Sequence, residues 1–251
     1  MNSSDKDIFA RNILYWGVDN QKKLTNLHVA VFGLGGVGGF CVEALARAGV
    51  GELTIIDFDE VSHSNINRQI VAMHSTVEQN KARLFEQRLQ DINPDIKLHV
   101  IDDFYTEGWD MPQFDFVADA IDTMRSKIAL LETCIKKGIP VVSSMGAGNR
   151  INPTELYICD ISEIQEKNAP FISNILYQLK KRGIEKGVRV VTSHEKPFVQ
   201  EKISNVENIR TKSGEEIEFT KITPASTPFV ASCAGIFMAY YIVNQIVGDV
   251  K

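Results

Sequence analysis

Two stretches carry residue types at spacings suited to handling a nucleotide. The run Gly33-Leu34-Gly35-Gly36-Val37-Gly38 follows an apolar strand and opens a helix. Such a turn brings backbone amides against phosphate oxygens and aims a helix N-terminus at them. Gly33 is expected to make the tight turn, Gly35 and Gly36 to let phosphate approach, and Gly38 to let the helix pack on the strand. The second run extends from Asp57 to Gln69. Asp57 ends the next strand, where a carboxylate accepts hydrogen bonds from ribose hydroxyls. Asp59 shares that role or caps the turn, and the polar, basic residues that follow suit a triphosphate.

These residues need a scaffold that places strand ends side by side. A first helix is expected at about Asp7 to Lys23, then strands at His28 to Phe32, Leu53 to Phe58, Leu98 to Asp102, Phe116 to Ile121 and Pro140 to Ser144. Helices fall between them, through Phe40 to Ala48, from about Val77 to Asp91 and over Ser126 to Lys137. This alternation implies an α/β, Rossmann-like fold: a mostly parallel sheet with helices on both faces. After Gly148 the rhythm breaks. Pro153 to Asp160, Val188 to Thr192 and Glu216 to Lys221 read as strands, and Ser162 to Arg182 as mostly helical. We read the chain, 1–251, as a single domain: 8–150 is the nucleotide-binding core, 151–228 an irregular C-terminal, substrate-facing elaboration, and 229–247 a terminal core or interface helix.

Composition narrows the class further. The 251 residues are 44% hydrophobic and 24% charged, as in an ordinary soluble protein. A formal charge of −5 argues against a non-specific nucleic-acid binder. The polar start, Met1 to Asp7, shows no secretion signal, so a cytoplasmic location is expected. Cys41, Cys134, Cys159 and Cys233 form no Cys-x-x-Cys pair, which predicts buried free thiols and no zinc. Phe229 to Val247 is nearly long enough to span a bilayer but contains Ser232, Asn244 and Gln245 and has no basic flank beyond Lys251. No membrane association is expected.

The segment Asp57 to Gln69, with Lys81 one helix further on and Asp119-Ala120-Ile121-Asp122 at the next strand end, resembles the adenylation core of ubiquitin-activating-like enzymes. The resemblance implies that Asp57 holds ribose, that Asn65, Asn67, Arg68 and Lys81 hold ATP, and that Asp122 binds magnesium. It also implies that Arg11 reaches into the site of the partner subunit, which makes the protein a homodimer. The chemistry agrees with those roles. Adenylation builds negative charge on oxygens around the α-phosphorus, and preset positive charge lowers that barrier. Arg68 forks across two oxygens, Lys81 supplies a point charge, and a carboxylate at Asp122 is a hard ligand for magnesium. The glycine loop and Asp57 would serve a nicotinamide cofactor as well, but Arg68, Lys81 and Asp122 have no obvious work there.

Family members that pass an acyl group to a thiol carry a catalytic cysteine after the core, and sulfur-carrier activators often add zinc ligands. Between Asp160 and Cys233 there is no cysteine. The remaining pieces, including Asp102-Asp103-Phe104, Met145-Gly146-Ala147-Gly148 and the run Val190 to Pro197, resemble the bacterial tRNA threonylcarbamoyladenosine dehydratases. That resemblance implies ATP-dependent cyclisation of a modified adenosine next to the anticodon, with AMP and pyrophosphate released. The alternative is activation of a ubiquitin-like or sulfur-carrier protein. A tRNA substrate asks for basic residues, and Lys180, Lys181, Arg182, Lys186 and Arg189 form the candidate tRNA face, against a solvated helix end. A sulfur-relay partner of the cysteine desulfurase type is a further expectation. The Gly146-Ala147-Gly148 loop lines the substrate pocket or binds a monovalent cation through its carbonyls.

Overall fold

The computed structural model describes residues 8–167, 169–198, 204–210, 216–222 and 224–248, with 204–210 and 216–222 as backbone. Asp7 and Lys251, used above, lie outside the described residues. Seven strands form the main sheet: β1 (His28–Phe32), β2 (Glu52–Ile56), β3 (Lys97–Ile101), β4 (Phe116–Asp119), β5 (Val141–Ser144), β6 (Leu156–Asp160) and β7 (Arg189–Ser193). Their order is β3-β2-β1-β4-β5-β7-β6, all parallel except β6, which runs antiparallel to β7. The central strands read as unbroken apolar runs because both faces are covered; Val29, Ala30, Val31 and Phe32 of β1 are fully buried.

The helices are α1 (Ala10–Thr25), α2 (Gly38–Ala48), α3 (Lys81–Ile92), α4 (Met124–Lys137), α5 (Pro170–Lys181) and α6 (Pro228–Val247). One core joins α1, α2, α3 and α6 to one face of the sheet, and a second joins α4 and α5 to the other. Helix α1 is broken at Gly17, whose φ of 81° only glycine adopts easily. Helix α3 starts four residues later than the sequence indicates. Glu78 takes a left-handed φ of 66°, and the Asn80 side chain caps the helix by accepting from Arg83 N at 3.0 Å.

Strands β6 and β7, which the sequence reading assigns to the elaboration, complete the main sheet, with β7 paired directly to β5. Outside that sheet lies a two-stranded antiparallel pair, β8 (Ser204–Arg210) and β9 (Glu216–Ile222); β8 has no counterpart in the sequence reading. Helix α6 is long and apolar enough to cross a membrane by length and composition. It instead buries Val230, Ala234, Met238 and Ile242 against α2 and the sheet. A Cβ on Gly235 would lie 2.1 Å from the Val37 carbonyl, so the two helices touch backbone to backbone there. The opposite side of α6 leaves Phe229, Ile236 and Tyr240 exposed.

Candidate active site

The site forms at the carboxyl ends of β1, β2 and β4, where the strand order reverses and a parallel sheet opens a crevice. Sterics fix the glycine loop. Gly33 has φ +85°, and a Cβ there would sit 2.9 Å from the Ala120 carbonyl. A Cβ on Gly38 would lie 1.7 Å from the Gly33 carbonyl, so no side chain is accommodated. Gly36 runs beneath Arg68, whose Cγ is 3.3 Å from the position of a Cβ, while Gly35 has more room.

Asp57 is tied into this loop. Its Oδ2 accepts from the Leu34 amide at 2.5 Å and its Oδ1 from the Asp59 amide at 2.8 Å. Burial pushes its carboxyl up to about 6; the Lys81 charge opposes that rise and Asp59 adds to it. Lys81, the first residue of α3, is almost wholly buried and places Nζ 2.8 Å from Asp59 Oδ2. Asp59 therefore orients the lysine as well as closing the turn.

The stretch 65–69 folds as a tight helical turn, with the Arg68 and Gln69 amides both donating to the Asn65 carbonyl at 3.1 and 2.9 Å. The Asn65 side chain accepts from Ser62 N at 3.1 Å, closing the short turn 63–65 that precedes it. Arg68 Nη1 donates to the Ser64 carbonyl at 2.8 Å and to Asn67 Oδ1 at 2.9 Å. Asn67 in turn donates to the Ser226 carbonyl at 2.9 Å, joining the motif to the segment that enters α6. Burial lowers the Arg68 pKa, and the Asp122 charge opposes it across the crevice. Gln69, unassigned by the sequence reading, is buried with Oε1 unpaired within the described chain, and its Nε2 lies 3.6 Å from the Cβ position of Gly35.

Asp122 is exposed, with Thr123 Oγ1 at 3.4 Å. Its placement depends on Asp119, which is fully buried and accepts from Lys127 Nζ and Ser143 Oγ at 2.6 Å each. Asp119 Oδ1 also accepts from the Ile121 amide at 3.1 Å, fixing the turn that leads to Asp122. Lys127 and Ser143 were not legible as site residues.

The glycines, Asp57, Asp59, Asn65, Asn67, Arg68, Lys81 and Asp122 thus come together in one crevice. Arg11 does not join them. It stands exposed in the first turn of α1 and makes no hydrogen bond or ion pair within the described residues. The basic group is also elsewhere. Helix α5 starts near the carboxyl ends of the strands, with Phe171 close to Gly146, and Arg189 opens β7 at its amino end. Lys180, Lys181, Arg182, Lys186 and Arg189 therefore lie at the opposite edge of the sheet from the crevice. Three are engaged locally: Lys180 with Glu185 at 3.4 Å, Arg182 with Glu132 at 2.9 Å, and Lys181 4.4 Å from the Tyr177 ring centroid. The group expected as a tRNA-contacting face therefore stands apart from the nucleotide crevice.

Past β5, the Gly146 carbonyl accepts from Arg150 Nη1, and Arg150 Nε donates to the Glu195 carbonyl at 2.9 Å. The Glu195 carboxylate is taken by the amides of Ile151 and Asn152, and His194 stacks on Tyr157 at 3.9 Å. Asn149, at φ 60°, clamps Ala225: its amide donates to the Ala225 carbonyl at 2.7 Å and its Oδ1 accepts from Ala225 N at 2.8 Å. Among the described residues the one His/Cys/Asp/Glu grouping close enough to share a metal is His28, Glu52 and His99, at the amino ends of β1 to β3. Lys97 Nζ lies 3.8 Å from the same Glu52.

A model of the ThiF family matches residues 9–246. The chain is 40% identical over 250 residues to the tRNA threonylcarbamoyladenosine dehydratase of Bacillus subtilis (strain 168), covering 97% of this chain and 96% of that protein. It is 41% identical over 140 residues to the Escherichia coli (strain K12) protein of the same name, covering 54% and 52% of the two chains. The crystal structure of E. coli tRNA N6-threonylcarbamoyladenosine dehydratase, TcdA, in complex with ATP is similar with a TM-score of 0.82 at 28% identity, over 98% of this chain and 96% of that one.

Proposed function

The chain belongs to the ThiF family, and we infer that it uses ATP to dehydrate threonylcarbamoyladenosine in tRNA to a cyclic form. The observation that carries this is the dehydratase match over 97% of the chain, which runs past the nucleotide core through β6, β7 and α6. The enzyme is adenylate-forming. The threonyl carboxylate attacks the α-phosphorus of ATP and pyrophosphate leaves; the neighbouring carbamoyl group then attacks the acyl carbon and AMP leaves with the carboxylate oxygen. A ring closing within one substrate has its nucleophile already in place and needs no enzyme thiol. Burial pushes the Cys41 and Cys134 thiols up to about 12 and Cys159 to about 11, far from a reactive thiolate.

In this reading the glycine-loop amides cradle the phosphates, and Asp57, held by two backbone amides, receives the ribose hydroxyls. Arg68 and Lys81 meet the charge that develops on the non-bridging and leaving oxygens, with Asn65 and Asn67 shaping the arginine's turn. Asp122 would hold magnesium, which takes one or two carboxylates along with phosphate oxygens and water. An exposed carboxylate facing Arg68 across the crevice fits that donor chemistry. The bound ion would neutralise triphosphate charge.

We assign Arg11 to the site of a second copy. Its helix exposes Leu14, Tyr15 and Val18, with Ile8 exposed just before it, and α6, joined to α1 through Asn20 and the Val247 carbonyl at 3.3 Å, exposes Phe229, Ile236 and Tyr240. An apolar band on two adjoining helices suits a subunit interface. A soluble dimer acting on tRNA works in the cytoplasm, and a docking cysteine desulfurase is tested by co-purification. The experiment for the mechanism is Arg68→Ala. Pyrophosphate release with threonylcarbamoyladenosine-bearing tRNA is expected to fall below ~1% of wild type, with circular dichroism unchanged. Unchanged turnover in this variant would remove the mechanism.

A further inference from the structure

Among the described residues, Arg150 is the one buried guanidinium whose surroundings leave part of it unsatisfied. The residue is 5% exposed, and among the described residues its Nη2 has no hydrogen-bond partner. Its other nitrogens are used to tie two loops, Nη1 to the Gly146 carbonyl and Nε to the Glu195 carbonyl. Thr192, 2% exposed near the end of β7, also has an unpartnered Oγ1. Strand β7 pairs with β5, whose continuation carries Gly146, and Thr192 lies opposite Tyr157 of β6. Two unpaired buried polar groups thus stand at the same carboxyl edge, one strand beyond the crevice.

The start of α5 meets the same place. Phe171 Cδ1 is 3.4 Å and Arg150 Nη1 3.5 Å from the position of a Cβ on Gly146, so helix start and guanidinium converge on one glycine. The N-cap residue, Ala169, makes no side-chain hydrogen bond to the first turn. An uncapped helix start favours negative charge, and a guanidinium matches carboxylate or phosphate oxygens. The facing carboxylates are accounted for in part: Glu195 is held by the amides of Ile151 and Asn152, and Glu166 adds to its effect on the arginine. Burial works against the arginine's charge. The Gly146 carbonyl is already matched to this fixed cation, which favours the substrate-pocket reading of the loop over a bound monovalent ion.

We propose that Arg150, Thr192 and the first turn of α5 form an oxyanion subsite for the substrate nucleotide, occupied by its threonyl carboxylate before adenylation or by a flanking phosphodiester. The proposal rests on the tRNA reading above. It makes Arg150 a binding residue one strand away from the ATP crevice, a substrate contact beyond those expected of the distant basic group.

The test uses the full-length protein and two anticodon stem-loop RNAs of one sequence, with threonylcarbamoyladenosine or plain adenosine at the target position. Arg150→Gln is expected to raise KM for the modified RNA about tenfold or more, with the Kd for ATP unchanged; Arg150→Lys should recover part of the loss. If the Kd of the modified RNA alone weakens, the carboxylate is the occupant; equal weakening of both RNAs identifies a phosphodiester. Thr192→Val, which removes only a hydroxyl, covers the case in which Arg150→Gln does not fold, and should raise KM severalfold. Unchanged Kd and KM in these variants, or a loss of ATP affinity in step with the RNA, would overturn the subsite. Absence of AMP from the wild-type enzyme with the modified RNA would instead remove the functional reading, because the binding comparison needs no turnover.

Discussion

Replacing Lys127 by methionine tests whether the frame beneath the site is held by one buried ion pair. Lys127 and Asp119 are both fully buried, 2.6 Å apart, and the lysine also donates to Ser143 Oγ at 3.0 Å. Methionine fills similar space but leaves the Asp119 carboxylate charged or forced to take a proton, with Ser143 and the Ile121 amide as its remaining partners. Removing one member of a buried pair costs ~3–5 kcal/mol, because the other is left uncompensated. That is roughly two to three and a half orders of magnitude in the folding equilibrium. For a chain of this size it lowers the thermal midpoint by about 6–20 °C. Replacing both, Asp119→Asn with Lys127→Met, removes the stranded charge and is expected to regain at least half of the loss. Urea unfolding of the wild type, the single variant and the double variant provides the numbers. A single-variant loss under ~1 kcal/mol, or a double variant no better than the single, would refute the reasoning.

Two further outcomes follow from the site. Asp57 titrates at about 6, above the ordinary carboxylate value, so it gains a proton as pH falls through 6 and ceases to be a full acceptor for ribose. The kcat/KM for ATP is expected to drop across that interval, and Asp57→Asn to be low and flat; an unchanged pH profile in the variant would assign the transition to another group. Because folding raises this pKa, Asp57 alone favours the folded state less as pH rises from about 4 to 6. For Arg11, co-expressing Arg11→Ala with Arg68→Ala should restore one working site per mixed dimer, about half of wild-type activity for purified heterodimers, since each site draws on two chains. No recovery on mixing would place Arg11 in its own chain's site.

What the sequence revealed depended on whether local sterics or distant pairing set a residue's role. Gly38 is forced by the Gly33 carbonyl five residues back and Gly33 by its own positive φ, so their pattern is readable without the fold, although the Ala120 carbonyl that also crowds Gly33 is distant in sequence. Asp57 follows the end of β2, a position the strand pattern marks, whereas Arg68 and Lys81 are pointed to by the family resemblance and not by periodicity. Helix α3 began late because Asn80 caps it, a competition between cap and helix that apolar spacing does not register. Strand β8 offers only Val206 and Ile209 as apolar residues, too little for an alternation. The segments of β6 and β7 read as strands, but their membership in the sheet requires a crossover through α5, which sets β7 beside β5 and β6 at the edge. Lys127, Gln69 and Arg150 are not marked by the sequence because Asp119, Gly35 and Glu195, which each of them in turn meets, are brought near by topology. The position of the basic group is set in the same way: five charges close in sequence say nothing of which end of a sheet they occupy.

The most direct test of the account is the nucleoside composition of tRNA incubated with the protein, ATP and magnesium, read by mass spectrometry while AMP is followed in parallel. The account predicts that threonylcarbamoyladenosine loses the mass of one water in step with AMP release, and that Arg68→Ala abolishes both. Nucleosides that stay unchanged while the wild-type protein binds ATP would contradict it, and would move the adenylating crevice to a carrier-protein substrate.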